Sequence, residues 1–282
     1  MISVVIPLYN KEISISNTLN SLLKQRFNDF EILVINDGST DSSVSIVEKY
    51  NDKRIRIVHK ENGGVSSARN LGIREAKYDW ICFLDADDNW KVDHLFNIVD
   101  VIKNKETEGF IATAFIQSFE NINQSKLFSA KTSGLQSLFD VAAYNGFPVH
   151  TSAVCIHKNI LSQFYFNENL TLGEDNQLFV TIGKRFKVYF ITVPTSIYSG
   201  DTENKETRKT HPIENDFLYQ LDFSDQSITT NERKYYIIFI GYHLFKYLKE
   251  KNINKFYTLL MHYAKWLKLS DLSTLTNLLL KK

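Results

Sequence analysis

Cysteine is scarce. Only Cys82 and Cys155 occur in 282 residues, each inside an apolar strand-like run, and two such distant thiols suggest neither a disulfide framework nor a zinc pattern. The chain therefore suits a reducing compartment. Net charge is nearly absent too, at +1 from 33 Lys and Arg against 32 Asp and Glu, which argues against a general nucleic-acid binder. The neutral total hides an asymmetry: from Glu232 to Lys282 ten basic residues face three acidic ones, leaving 23 against 29 before them. Long apolar runs are missing. The longest, Tyr235 to Phe245, is too short and too polar to span a bilayer. No charged leader precedes an apolar segment at the N-terminus, where Ile2 to Ile6 run into Pro7 as a strand would. The expectation is a cytoplasmic protein, with peripheral contact at the inner face of the cell membrane left open. The common glycine fingerprints are absent as well: no Gly-x-Gly-x-x-Gly follows the first strand and no Gly-x-x-x-x-Gly-Lys-Ser/Thr occurs. That disfavours a nicotinamide enzyme and a P-loop phosphatase.

What is present is alternation. Ile2 to Pro7, Glu31 to Asn36, Ile55 to His59 and Trp80 to Leu84 are short β-rich runs. Between them Ser14 to Lys24, Ser42 to Tyr50 and Val65 to Lys77 have helical spacing, with caps expected at Ser14, Asp41 and Ser66. Repeated βαβ units imply a right-handed, mostly parallel sheet. A helix from Asp93 to Asn104 follows, then strands at Phe110 to Phe119, Thr151 to His157 and Phe186 to Val193, with a helix from Gly173 through Ile182. Asp201 to Thr210 reads as a loop. Two amphipathic helices close the chain, one with Ile237, Ile240, Leu244, Phe245 and Leu248 on its apolar face, the next with Phe256, Leu259, Leu260, Tyr263 and Leu267.

The interruptions of this pattern all fall where strands end, and in open α/β sheets that rim is where ligands bind. The apolar run Trp80 to Leu84 ends in Asp85-Ala86-Asp87-Asp88. Carboxylates two apart at a strand tip can share a hard cation that carries a diphosphate; a polar turn with Asp88 or Asn89 as helix N-cap is the plainer reading. Asp37, at the end of the second strand, could accept the imide N–H of a uracil ring; it could equally belong to a turn in which Asp41 caps a helix. Tyr9 could stack on the base or be a half-buried aromatic at a strand end. Asn62-Gly63-Gly64 opens a small-residue helix whose amides and Arg69 could approach a ligand; a capped helix with a solvated Arg is the alternative. Gly173-Glu174-Asp175 puts two acids at a helix start, which helices favour anyway, and gains meaning only beside a diphosphate site, where group transfer to a hydroxyl needs a base.

Val4 to Asn10, Asn36 to Asp41, Asn62-Gly63-Gly64 with Ala68-Arg69-Asn70, Asp85 to Asp88 and Gly173 to Asp175, in this order and spacing, resemble the family-2 inverting glycosyltransferases of GT-A fold. The likeness is dense over residues 1 to 90, thinner to about 185 and absent afterwards. It implies that Asp37 contacts uracil, and that Pro7, Tyr9, Asn10 and Glu12 line the nucleoside pocket with Asn62, Gly64, Arg69 and Ala86. It further implies that Asp85 and Asp87 serve the ribose and a Mn²⁺ or Mg²⁺ ion, that Asp175 is the catalytic base, and that Glu174 and His150 lie at the acceptor. Many relatives carry His or Arg after a Tyr in the stretch corresponding to Ile197-Tyr198-Ser199-Gly200. This chain has Ser and Gly there, and His211 is the substitute considered.

The expected architecture is a GT-A, Rossmann-like α/β fold with a mostly parallel central sheet flanked by helices and a C-terminal helical extension. Residues 1–100 would bind the nucleotide sugar, 101–200 the acceptor, and 201–282 form the loop and C-terminal helices. The expected reaction moves a hexose or N-acetylhexosamine from a UDP-sugar to a hydroxyl of a glycan or lipid-linked saccharide, in a bacterial surface-polysaccharide or glycolipid setting. A sugar nucleotidyltransferase is the first rival, disfavoured because Pro7-Leu8-Tyr9-Asn10 is unlike its glycine-rich loop. A non-catalytic carbohydrate-binding module on a decayed enzyme is the second, disfavoured by Asp85, Asp87 and Asp175 together. The lysines and aromatics of the last fifty residues suit docking on an anionic bilayer, packing on the catalytic body, or pairing with a second copy.

Overall fold

The apolar run after Met1 becomes strand β1 (Ile2–Leu8), buried along its length except at Pro7. The computed structural model describes residues 1–119, 124–145, 147–199, 212–268 and 271; the loop expected from Asp201 to Thr210, and His211, lie outside them. β1 pairs in parallel with β2 (Phe30–Asp37) and with β4 (Trp80–Phe83), and β2 pairs in parallel with β3 (Ile55–Lys60). Helices α1 (Ile15–Leu23), α2 (Ser43–Glu48) and α3 (Gly64–Glu75) make the connections, covering both faces as continuous apolar strands require. Alternation along β1 sends Val4, Ile6 and Leu8 into one core with Leu19 and Leu22 of α1, and Val5 into the other with Ala68 and Ile73 of α3. At Gly72 an added Cβ would lie 2.3 Å from Val5 Cγ1, so α3 approaches β1 this closely only because the side chain is missing.

Past β4 the sheet changes character. β9 (Val154–His157) runs antiparallel both to β4 and to β6 (Phe110–Phe119), and β6 is parallel to β10 (Val188–Ser199). Short antiparallel strands β5 (Asn89–Trp90), β7 (Gln124–Phe128) and β8 (Gly134–Gln136) complete a ten-stranded sheet of main order β3-β2-β1-β4-β9-β6-β10-β5. Parallel pairing thus holds over the first four strands and at β6–β10, while β9 enters against its neighbours. The two cysteines, distant in sequence, sit opposite each other in the β4–β9 register as buried free thiols. Helix α4 (His94–Asn104) covers one face; α5 (Leu138–Asn145), α6 (Lys158–Leu161) and α7 (Glu174–Gly183) cover the other.

Several boundaries move for local reasons. Asp41 Oδ1 accepts the Ser43 N–H at 2.9 Å, so α2 starts at Ser43 with Ser42 as the cap residue. α3 starts at Gly64, two residues before the cap expected at Ser66, because the Gly63 and Gly64 amides are held by Asp37. The C-terminal helices are α8 (Thr230–Lys249) and α9 (Ile253–Tyr263). Ile237, Ile240, Leu244, Leu259 and Tyr263 bury against Phe139 and Ala142 of α5, Val180 of α7, and Phe217. Leu248, expected on that face, is 44% exposed, and Tyr247 takes the buried place in the last turn of α8. Among the described residues no helix is long and apolar enough to cross a membrane.

Candidate active site

The carboxyl ends of β1, β2 and β4 and the start of α7 open into one cleft of about 1180 Å³. Pro7, Tyr9, Asp37, Asn62, Gly64, Arg69, Asp85, Ala86, Asp87, His150, Glu174 and Asp175 all line it. Asn10 and Glu12 do not. Asn10 ties two loops together instead, its Oδ1 accepting the Thr40 N–H at 2.8 Å, and Glu12 Oε2 accepts the Ser42 N–H at 3.0 Å at the start of α2. Tyr9 is 42% exposed at the rim, as a side chain available for stacking must be. Asp37 is buried, and its carboxylate accepts the Gly63 and Gly64 N–H groups at 2.9 Å each and the Lys60 ammonium. Each carboxylate oxygen can accept more than one bond, so Asp37 keeps capacity for a ligand donor.

The carboxylates after β4 are organised by Ser152. Its hydroxyl donates to Asp88 Oδ2 at 2.6 Å and accepts the Asp85 N–H at 3.0 Å. The Ser199 N–H donates to Asp88 Oδ1 at 2.9 Å, and Ser152 N–H donates to His150 Nδ1 at 3.2 Å. Ligand atoms of Asp85, Asp88 and His150 lie within 4.8 Å of one another. Asp87 faces Lys11, whose ammonium donates to Oδ2 at 2.8 Å. Burial, reinforced by the Asp87 and Asp85 charges, pushes the Asp88 carboxyl well up. Burial acts on Asp85 in the same sense, but Arg69 and then His150 hold it below the ordinary carboxylate range. Burial lowers His150 against the pull of Asp85, which favours the neutral imidazole that can act as a ligand. The stretch Ile197 to Ser199 supplies no imidazole of its own, yet the His150 ring lies 4.5 Å from that of Tyr198.

Arg69 joins the two halves of the cleft. It is buried, and its terminal nitrogens donate to Asp85 Oδ1 and to Glu174 Oε1, each at 2.8 Å. Burial lifts the Glu174 carboxyl, helped by the Asp175 charge and opposed by Arg69. Glu174 is therefore turned inward. Asp175 faces the cleft, with Thr151 Oγ1 donating to Oδ2 at 3.1 Å and the Asn176 N–H to Oδ1 at 2.7 Å. Gly173, at φ 76°, makes the corner that starts α7.

Sequence reasoning passed over Lys11, Lys60, Thr151 and Ser152. The signal for the last two is a Thr-Ser pair set into the apolar stretch Val149 to Ile156, a poor composition for a strand interior unless the hydroxyls are used. The residues present fit a divalent cation. Around the carboxylates of Asp37, Asp85, Asp87, Asp88, Glu174 and Asp175 the paired cations are Lys11, Lys60 and Arg69, and with Lys246 and Lys255 at the C-terminal wall the acids of the cleft still outnumber its cations, so a dianionic diphosphate would enter an already acidic cleft. Two carboxylates and a neutral imidazole are a donor set for Mn²⁺ or Mg²⁺.

Comparison with known proteins bears on the family and the fold. The sequence pattern of Glycosyl transferase family 2 matches residues 3–165. "Uncharacterized glycosyltransferase EpsJ" of Bacillus subtilis (strain 168) is 47% identical over 90 residues, 31% of this chain and 26% of that protein. The amylovoran biosynthesis glycosyltransferase AmsB of Erwinia amylovora is 31% identical over 211 residues, 70% of this chain and 68% of that protein. This chain thus spans about a quarter of EpsJ and about two thirds of AmsB. Residues 1–349 of S. aureus TarS in complex with UDP-GlcNAc superpose with a TM-score of 0.68 at 20% identity, covering 94% of this chain and 91% of that one. The likeness establishes the GT-A fold.

Proposed function

This chain belongs to glycosyl transferase family 2, and we propose that it transfers a hexose or N-acetylhexosamine from a UDP-sugar to a hydroxyl of a glycan or lipid-linked saccharide, with inversion. The observation that carries the reading is that Asp37, Asp85, Asp87 and Asp175, four carboxylates from three separate segments of the chain, line one cleft. The UDP-GlcNAc in the TarS complex favours a UDP-sugar, and amylovoran synthesis by AmsB favours a bacterial surface-polysaccharide setting. A cytoplasmic location, with contact at the inner membrane face, belongs to the same proposal.

Asp37 accepts the uracil imide N–H, and Tyr9 stacks on the ring. Arg69 keeps Asp85 charged and oriented. The residues that would hold a divalent ion are Asp85, Asp88 and His150, with Asp87 beside them. When bound, the ion supplies charge neutralisation to the diphosphate leaving group. Asp175 Oδ1 or Oδ2 removes the proton from the acceptor hydroxyl as that oxygen bonds to the anomeric carbon. The bond from that carbon to the diphosphate oxygen breaks with its electron pair, and UDP leaves. Glu174, locked to Arg69, sets the first turn of α7 from which Asp175 projects.

A panel of UDP-sugars scored for UDP release with Mn²⁺ and with EDTA tests the proposal. Release of free UDP that stops in EDTA is expected. Release of pyrophosphate instead, or full activity in EDTA, contradicts it.

A further inference from the structure

The base-bearing turn is braced by a part of the chain that the family-2 match does not reach. Leu172 bridges to Asp216. The Phe217 N–H donates to Leu172 O at 3.0 Å, and the Thr171 N–H donates to Asn215 O at 2.9 Å. An added Cβ on Gly173 would lie 3.0 Å from Phe217 Cβ. The segment from Asn215 to Phe217 therefore sits directly behind the corner that aims Asp175.

The chain then continues along the cleft that holds Asp175. Tyr219, Phe239, His243, Lys246, Tyr247 and Lys255 line that cleft. The patch is built rather than incidental. Tyr263 Oη donates to Leu218 O at 2.7 Å and Asp216 Oδ1 accepts the Leu218 N–H at 2.9 Å, which fixes the turn carrying Tyr219. Tyr247 is only 7% exposed, and the Lys255 ammonium lies 5.8 Å from its ring centroid. Phe239 and His243 extend the surface with ring centroids 4.9 Å apart.

Half-buried aromatic faces rimmed by flexible hydrogen-bond donors, open to a base across one cleft, match the chemistry of a sugar ring: apolar C–H faces and a belt of hydroxyls. We propose that the wall formed by Tyr219, Phe239, His243 and Lys255 is the acceptor subsite, holding one ring of a saccharide acceptor so that its free hydroxyl meets Asp175. The inference rests on the transferase reading above and assigns its acceptor to the C-terminal region.

The test compares native chain, Tyr219→Ala, Tyr219→Phe and Lys255→Ala, using a set of p-nitrophenyl glycosides as acceptors and water as the competing acceptor. Tyr219→Ala and Lys255→Ala should each raise the glycoside KM about tenfold. Donor hydrolysis and UDP affinity should stay unchanged, and Tyr219→Phe should keep the native KM for stacking. Unchanged glycoside KM in Tyr219→Ala, or hydrolysis falling in step with transfer, overturns the subsite. So does a native chain that hydrolyses UDP-sugars yet transfers to no glycoside in the set. Absence of hydrolysis as well would overturn the transferase reading, and the subsite with it.

Discussion

Asp88 is a carboxyl whose charged form its surroundings disfavour. It is fully buried, held by the Ser152 hydroxyl and the Ser199 amide, and pushed up by burial and by two neighbouring carboxylates. A cation shared with Asp85 and His150 would relieve it. Asp88→Asn and His150→Ala are therefore expected to weaken Mn²⁺ binding by about tenfold or more, read by titration calorimetry; unchanged affinity in both would exclude the cluster as the metal site. That Asp85 and Asp87 line the cleft was legible because charges that end an apolar strand have few structural uses. The position of Asp88 was not, since whether it caps a helix or faces Ser152 depends on the turn before β9, whose Ser152 lies 64 residues away in the chain. His94 shows the other side of burial. Stacked on Trp90 at 4.0 Å and facing Thr195, it is lowered from 6.5 to about 3 by desolvation. A depressed pKa means the unfolded state binds the extra proton. The contribution of His94 to stability is thus complete above about pH 6.5 and is lost as the pH falls toward 3. His94→Gln should flatten the slope of unfolding free energy over that window in urea titrations, and an unaltered slope would contradict it.

At the scale of elements, the site depends on corners more than on strands. Gly173 takes φ 76° with Phe217 pressed against it. Gly173→Ala is expected to cost about 1–2 kcal/mol of stability and to lower transfer while UDP binding persists, because α7 starts from a shifted corner while β1 to β4 are untouched. Equal losses of binding and transfer, measured by calorimetry and UDP release, would contradict this division. The βαβ elements were readable from period and apolar runs, since parallel strands covered on both faces leave long uninterrupted patterns. β9 was harder. Its antiparallel entry, and the short 3-10 turn Thr151–Ala153 before it, are set by tertiary pairing with β4 and β6 and leave no periodic mark. That turn brings His150 and Ser152 to Asp88 and Thr151 to Asp175.

Over the whole molecule, the acidic body and basic end seen in the sequence become a cleft short of cations and a helical region rich in them. The apolar faces of α8 and α9 bury against α5 and α7, which accounts for the packing reading of those helices. Leu248, Ile253, Tyr257 and Met261 remain exposed beside Lys249 and Lys251. Co-sedimentation with anionic vesicles at low salt, weakening as ionic strength rises, is expected of such a surface; identical behaviour with neutral vesicles would remove bilayer contact from the proposal. Which face of the C-terminal helices meets the cleft could not be read from amphipathic spacing, because Tyr247 and Leu248 compete for the same buried turn. Donor binding and acceptor deprotonation are here assigned to different residues of one cleft, joined through the Arg69 bonds to Asp85 and Glu174. The most direct measurement is the rate and UDP-sugar affinity of Asp175→Asn. The account predicts native affinity with a rate lower by about two to four orders of magnitude; loss of UDP-sugar binding, or a rate near native, would contradict it.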